Sequence, residues 1–204
     1  MKYVQLGNSE IKVSQLCVGC MSFGRPSEDF HQWTLNPQET ETIIRKALDL
    51  GINFFDTANV YSHGTSEEYL GQALKKNIAR DKAVIATKVY FNEGHLSKEA
   101  INREIDSSLK RLGTDYVDLY IIHRFDYDTS IEETMEALDG LVKSGKVRAL
   151  GASAMYGYQF HNMQLAAEKN GWTKFVSMQN HYNLLYREDE REMIPVCRQY
   201  NVSL

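Results

Sequence analysis

The stretch Gly51-Ile52-Asn53-Phe54-Phe55-Asp56 is an apolar run that ends in a carboxylate, and Tyr61 follows five residues later. Lys88 and His123 each follow a similar apolar run. Helical patterns alternate with these runs, so we expect parallel strands whose C-terminal ends share one face. The four polar side chains just past the strand ends should therefore converge there.

The rest of the chain repeats this alternation. After a hairpin formed by residues 3–6 and 11–14, strands are predicted at residues 16–19, 53–55, 83–87, 117–122, 147–151 and 175–179. Helices are predicted at residues 37–50, 66–78, 97–112, 130–144, 158–170 and 187–200. Six strand–helix units in succession are typical of a parallel α/β fold.

Capping signals set the predicted helix starts. N-caps are predicted at Asn36, Ser66, Ser97 and Ser130. Glu133 lies three residues after Ser130, which predicts a capping box. The charged run at residues 188–192 is expected to be a solvated helix face, and residues 202–204 to begin another strand.

Two parallel architectures compete. An open doubly wound sheet carries a glycine-rich phosphate turn after its first strand, and residues 19–24 lack the G-x-G-x-x-G spacing. A (β/α)₈ TIM barrel needs no such turn and places functional residues at many strand ends. We favour the barrel. Because a barrel takes eight units and about 250 residues, we expect residues 1–204 to be one barrel domain that lacks its C-terminal units.

Composition excludes several classes of partner. The chain is 43% hydrophobic and 25% charged, with a net charge of −4 and no basic run, so nothing favours nucleic acid or an anionic membrane. No apolar stretch has membrane-spanning length, and the N-terminus lacks a signal-peptide core. The odd count of three cysteines predicts a reducing, cytoplasmic location. The sequence carries no clear signal for oligomeric state.

Cys17 and Cys20 form a C-x-x-C motif. A redox motif of this kind normally opens a helix, whereas this one lies within residues 16–21, on and directly after the first predicted strand. We therefore expect both cysteines to be small buried apolar residues. No further ligands stand at zinc-site spacing, and the histidines share no metal-binding pattern, so no metal site is predicted.

The four strand-end residues suit proton transfer to an oxygen atom. A phenol is a weak acid at neutral pH, and a nearby ammonium such as Lys88 favours the release of its proton. Asp56 would keep the Lys88 ammonium charged and directed at the phenol. His123 would donate a hydrogen bond to a substrate oxygen and polarise it. The set supplies no hydride, so reduction of a carbonyl to an alcohol would need a cofactor.

The amino-acid sequence around these residues resembles that of the aldo-keto reductase family. Gly51 to Ala58, followed by Tyr61, Gly64, Ser66-Glu67 and Leu70-Gly71, is similar to its first signature. Ser107, Leu109, Leu112-Gly113, Tyr116, Asp118-Leu119 and His123 resemble its middle signature. Residues 145–153 and 179–184 resemble its later cofactor-side stretches. The closest resemblance is to the bacterial YajO-like branch.

This resemblance implies NADPH-dependent reduction of small aldehydes or ketones. Tyr61 matches the family's general acid, Lys88 and Asp56 its partners, and His123 its substrate-orienting imidazole. The positions that match cofactor contacts are Met21, Asp56, Ser153 and Gln179. The family often has asparagine where this chain has Ala154. In the family, the aromatic residue that stacks on the nicotinamide and the loop that binds the adenosine phosphates come from the seventh and eighth units. The expectation of NADPH rather than NADH is therefore based on the family resemblance alone.

Other interpretations stay open. Some proteins of this fold bind nicotinamide cofactor and act chiefly as regulatory or partner subunits, although the complete set of four residues argues against that role. The 204-residue chain is alternatively an inactive remnant. Phe30 and Trp33, after the first strand, either wall the substrate pocket or simply pack.

Overall fold

The sheet of this protein, seen in a computed structural model that describes residues 1–204, contains six parallel strands in chain order. They are β3 (Cys17–Gly19), β4 (Phe54–Asp56), β5 (Val84–Val89), β6 (Val117–Ile122), β7 (Val147–Ser153) and β8 (Phe175–Gln179). A separate antiparallel hairpin, β1 (Tyr3–Gln5) and β2 (Lys12–Ser14), precedes them. The sheet curls into a partial (β/α) barrel, which confirms the predicted fold class.

Six helices follow the strands. They are α1 (Pro37–Asp49), α2 (Thr65–Asn77), α3 (Lys98–Leu112), α4 (Ile131–Lys143), α5 (Gly157–Asn170) and α6 (Met193–Gln199). The Asn36 side chain accepts the Gln38 and Glu39 amides, and Ser97 accepts the Ala100 amide, so these two predicted N-caps are confirmed. No helix is both long and apolar enough to span a bilayer.

Two apolar layers flank the sheet. The larger lies between the strands and the helices, and includes Phe55, Tyr120 and Phe160. The smaller lies inside the curl, where Leu6, Ile11 and Val13 of the hairpin region pack against inward-facing strand residues such as Val84, Ala86, Leu119 and Ile121. The hairpin thus closes the N-terminal end of the barrel interior and leaves the C-terminal end open.

The strand predicted to begin at residues 202–204 is present only as one bridge to β8. The Met178 amide donates to the Ser203 carbonyl at 2.8 Å, and the Ser203 amide donates to Val176 at 3.0 Å. Ser177 and Ser203 form a parallel bridge. Residues 202–204 thus have extended pairing at Ser203 but do not form a strand.

The helix predicted at residues 187–200 is wrong in its first half. The charged run forms a short 3₁₀ turn at Glu188–Glu190, and α6 begins only at Met193. Pro195 explains the shift, because proline lacks an amide hydrogen and fits only the first turn of a helix. A helix starting at residue 187 would have placed Pro195 in its interior.

Two predicted capping roles also differ. α2 begins at Thr65 with Gly64 as its N-cap, and Ser66 is buried, donating instead to the Cys20 carbonyl at 2.7 Å. Ser130 accepts the Glu133 amide, but the Glu133 carboxylate accepts the Lys98 amide of α3 at 2.9 Å instead of closing the box. In both cases a tertiary partner outcompetes the local one.

The C-x-x-C prediction holds for only one cysteine. Cys20 lies in a 3₁₀ turn, Cys20–Ser22, and is fully buried. Cys17 keeps an exposed surface toward the barrel interior, where no neighbouring strand covers β3. Desolvation and the nearby Asp56 carboxylate still raise the pKa of Cys17 to about 12, so this thiol is not a thiolate near neutral pH.

Asp118 joins the N-terminal ends of three strands. Its side chain is almost fully buried and accepts hydrogen bonds from Arg80 and Arg148, each at 2.7 Å, and from the Ile85 amide at 3.0 Å. Removing one partner of a buried ion pair leaves an uncompensated charge. This carboxylate is therefore a stabilising element at the end opposite to the strand C-termini.

We expect Asp118→Asn to lower the free energy of unfolding by about 3 kcal/mol, because it removes one charge from a buried ion-pair network. Urea denaturation would measure the change. Asp106→Asn is the matched control, since its ion pair with Lys146 is exposed and such pairs contribute about 1 kcal/mol or less. Equal effects of the two substitutions would contradict this role of Asp118.

Candidate active site

Strand alternation brings three predicted site residues into the barrel interior. Val84 and Ala86 point into the interior core, so Lys88, two residues further along β5, points the same way. Asp56 ends β4 and His123 directly follows β6. Lys88 lies inside its strand rather than just past it, because β5 extends to Val89.

Lys88 is the centre of the site. Its side chain has no exposed surface, and its ammonium donates to Asp56 Oδ2 at 2.6 Å, to the Thr57 carbonyl at 2.7 Å and to the Tyr61 hydroxyl at 3.3 Å. A buried ammonium is costly unless it is paired and fully hydrogen-bonded. These three acceptors match its three hydrogens, so the geometry brings Asp56, Tyr61 and Lys88 together.

A strained turn presents Tyr61. Residues Tyr61–Gly64 form a 3₁₀ turn in which Ser62 and His63 have left-handed φ values of 45° and 53°. Such values are uncommon for residues other than glycine. Gly24 packs against this turn, and a Cβ atom there would lie 2.4 Å from the Ser62 Cβ. The loop after β3 therefore helps to hold the conformation that aims the phenol at Lys88.

His123 completes the cluster as a neutral imidazole. Its ring meets Tyr61 edge-on at a centroid distance of 5.7 Å and Phe91 at 5.1 Å. Burial lowers its pKa to about 3, helped by Lys88 and Arg124. Nδ1 is buried without a hydrogen-bond partner. The ring is thus held as a hydrogen-bonding group that carries no charge near neutral pH.

The predicted cofactor contacts occupy the neighbouring strand ends. Ser153 and Gln179 are paired across β7 and β8, and the Ser153 hydroxyl donates to the Gln179 carbonyl at 3.0 Å. Met21 is 40% exposed in the turn after β3. The roles of Met21, Ser153 and Gln179 toward a cofactor stay predictions.

A cavity of about 570 Å³ lies in the barrel interior, and Asp56, Gln179 and Asn180 form part of its lining. The rest comes mainly from the hairpin region and from inward-facing strand residues such as Leu6, Val13 and Leu119. Asn180 Oδ1 is buried and has no partner. A carboxamide carries both N–H donors and a carbonyl acceptor, which suits the amides of Gln179 and Asn180.

Sequence reasoning missed one neighbour of the site, Phe91, and left the role of Phe30 and Trp33 open between a pocket wall and simple packing. Phe91, which packs on the His123 ring, lies three residues after Lys88 on the loop leaving β5. Phe30 approaches Tyr61 at a centroid distance of 6.5 Å, whereas Trp33 stacks on His31 and is 55% exposed. The signal in the sequence that could have indicated Phe91 is an aromatic residue that follows a strand-end lysine within a few positions.

Ala154 adopts the left-handed region, with φ of 46°. Asparagine tolerates this conformation better than alanine does, because its side chain can hydrogen-bond locally. Ala154 thus has a backbone conformation that suits asparagine, the residue that the family often has at this position. No group of three or more His, Cys, Asp or Glu side chains is arranged to hold a metal ion.

Comparison with known proteins identifies the class. A sequence profile described as the aldo/keto reductase family matches residues 15–204. The chain belongs to this family.

Fungal enzymes are among its relatives. The chain is 46% identical to the versiconal hemiacetal acetate reductase of Aspergillus parasiticus over 228 residues, covering 100% of this chain and 66% of that protein. It is 44% identical to an aldo-keto reductase of Alternaria alternata, covering 99% of this chain and 63% of that protein. A Metarhizium robertsii aldo-keto reductase is 41% identical, with 99% and 62% covered. The chain thus spans somewhat less than two thirds of these relatives.

We expect the ring resonances of His123 to stay constant between about pH 8 and pH 5, the window in which an ordinary histidine takes up a proton. NMR of ring-labelled histidine would measure this, and His123→Gln would assign the signal. The unfolded chain binds this proton near pH 6.5 and the folded chain only near pH 3, so His123 lowers the free energy of unfolding as pH falls through that range. A midpoint near 6.5 in the folded protein would contradict the neutral-imidazole assignment.

Proposed function

We propose that this protein reduces small aldehydes or ketones to alcohols with a nicotinamide cofactor. The observation that carries the proposal is the Lys88 ammonium, which contacts the Asp56 carboxylate and the Tyr61 hydroxyl at once. This arrangement suits protonation of an oxygen atom. Family membership supports the same reaction class.

Tyr61 acts as the general acid in this proposal. It gives its hydroxyl proton to the carbonyl oxygen as negative charge develops there. The Lys88 ammonium, 3.3 Å away, stabilises the phenolate that remains. Asp56 offsets the charge of the buried ammonium and fixes its direction, so that one hydrogen stays aimed at the phenol.

His123 orients the carbonyl. A neutral imidazole with its ring against Tyr61 can donate one hydrogen bond to the same substrate oxygen that Tyr61 protonates. The depressed pKa of His123 keeps it from competing as an acid. Phe91 and Phe30, which pack on the His123 and Tyr61 rings, form apolar walls that help to exclude water.

The cofactor, when bound, supplies the hydride that no side chain here can provide. Gln179 would hold its carboxamide beside Asp56, together with Ser153 once that hydroxyl turns from the Gln179 carbonyl. Met21 would cover one side. NADPH as the form used, a cytoplasmic location and a place in the YajO-like branch belong to this proposal. Three unpaired cysteines accord with a reducing compartment.

We expect Tyr61→Phe to lower carbonyl turnover at least about 100-fold, because it removes the proton donor. The assay follows NADPH consumption with a benzaldehyde-type substrate. Tyr158→Phe makes the same chemical change on the exposed face of α5 and should leave turnover intact. Unchanged turnover in Tyr61→Phe would remove Tyr61 from its role.

We expect Gln179→Ala to raise the dissociation constant of NADPH about fivefold, the loss of roughly one hydrogen bond. Cofactor fluorescence titration measures this, with Gln38→Ala on exposed α1 as the control. Equal affinity in the two variants would exclude a contact from Gln179.

Tight NADPH binding with no turnover across a carbonyl panel would instead favour a regulatory subunit. Absence of NADPH binding would favour an inactive remnant.

A further inference from the structure

A buried carboxylate lies on the outer side of the sheet, behind the active site. Glu67, in the first turn of α2, has no exposed surface. Its Oε1 accepts the Thr87 hydroxyl at 2.5 Å, and its Oε2 accepts Arg111 Nε at 2.6 Å. The mechanism above does not use this group. Its two carboxylate oxygens contact two different elements, β5 through Thr87 and α3 through Arg111.

The first contact reaches Lys88 through its neighbour. Thr87 and Lys88 are adjacent on β5, so their side chains point to opposite faces of the sheet. Glu67 holds the Thr87 hydroxyl from outside. This contact adds to the pairing of β5 with β4 and β6 in holding the strand, and with it the direction in which Lys88 enters the barrel.

The second contact reaches Tyr61 through a glycine. Gly64 ends the turn that begins at Tyr61, with φ of 88°. A Cβ atom at Gly64 would lie 2.7 Å from Arg111 Cδ and 2.8 Å from Arg111 Nε. The Arg111 stem therefore lies directly against the backbone of the turn, in the position set by its ion pair with Glu67.

These contacts close a ring around the active site. It passes through Tyr61, Gly64, Arg111, Glu67, Thr87 and Lys88, and returns from the Lys88 ammonium to the Tyr61 hydroxyl. We propose that Glu67 is a positioning residue that sets the Tyr61–Lys88 distance by holding Thr87 and Arg111 at once. The proposal rests on the proposed function for its catalytic meaning, but the geometric claim stands on the ring alone.

A second anchor keeps the first turn of α2 in place when Glu67 is altered. The Ser66 hydroxyl donates to the Cys20 carbonyl at 2.7 Å and lies 2.9 Å from the Thr57 hydroxyl oxygen. The helix therefore stays attached to the turn after β3 and to the end of β4. Loss of the Glu67 contacts should loosen the Tyr61–Lys88 geometry without detaching α2.

The test compares Glu67→Gln and Thr87→Val with two controls. Thr87→Ser retains a hydroxyl for Glu67 and should behave as wild type. Asp118→Asn breaks another buried carboxylate–arginine network, at the opposite end of the barrel, and controls for lost stability. The geometric readout is the NMR cross-peak between the Tyr61 ring and the Lys88 ε-methylene, whose ammonium lies 4.9 Å from the ring centroid.

We expect this cross-peak to lose most of its intensity in Glu67→Gln and Thr87→Val, and to persist in Thr87→Ser and Asp118→Asn. In the reductase assay, kcat should fall about tenfold in the first pair with KM little changed, the effect of slightly misplaced catalytic groups. A cross-peak that survives in Thr87→Val, or is lost equally in Asp118→Asn, overturns the proposal. A wild-type protein without turnover whose cross-peak responds as expected refutes the proposed function alone.

Discussion

The ammonium of Lys88 is buried without exposed surface, and its need for hydrogen-bond acceptors shapes the open end of the barrel. Without acceptors, burial of such a charge costs several kcal/mol. Asp56, the Thr57 carbonyl and Tyr61 supply those acceptors, and each must be held in place for the charge to be tolerated. The stability of this region and the geometry of the site are therefore coupled, because the groups that pair with Lys88 are also groups of the site.

Three buried carboxylates have different roles, which follow from the end and the side of the sheet on which each one lies. Asp56 faces the interior at the C-terminal ends of the strands, where barrel enzymes carry their chemistry. Asp118 joins the N-terminal ends of β5, β6 and β7, where barrels keep stabilising residues. Glu67 lies outside, between α2, α3 and β5, and links the helix layer to the site.

Secondary structure was predictable wherever local signals were unopposed. Strands at residues 117–122 and 175–179 and the Asn36 and Ser97 caps appear as expected. The predictions failed where a distant or covalent constraint prevailed. Pro195 moves the start of α6 to Met193. The side chains of Ser66 and Glu133 hydrogen-bond to other elements instead of capping their own helices. Local pattern cannot reveal such partners, because they lie 20 or more residues away in sequence.

The alternation of strands and helices, the residue types at the strand ends and hence the chemistry available there can be read from the amino-acid sequence. Those features depend on periodicity and on short motifs around Asp56, Tyr61, Lys88 and His123. How that chemistry is controlled depends instead on the packing of the folded chain. The neutral state of His123 comes from its burial, and the ring through Glu67 comes from contacts between separate elements. Burial and long-range contacts are properties of the packed chain, which is why no local stretch encodes them.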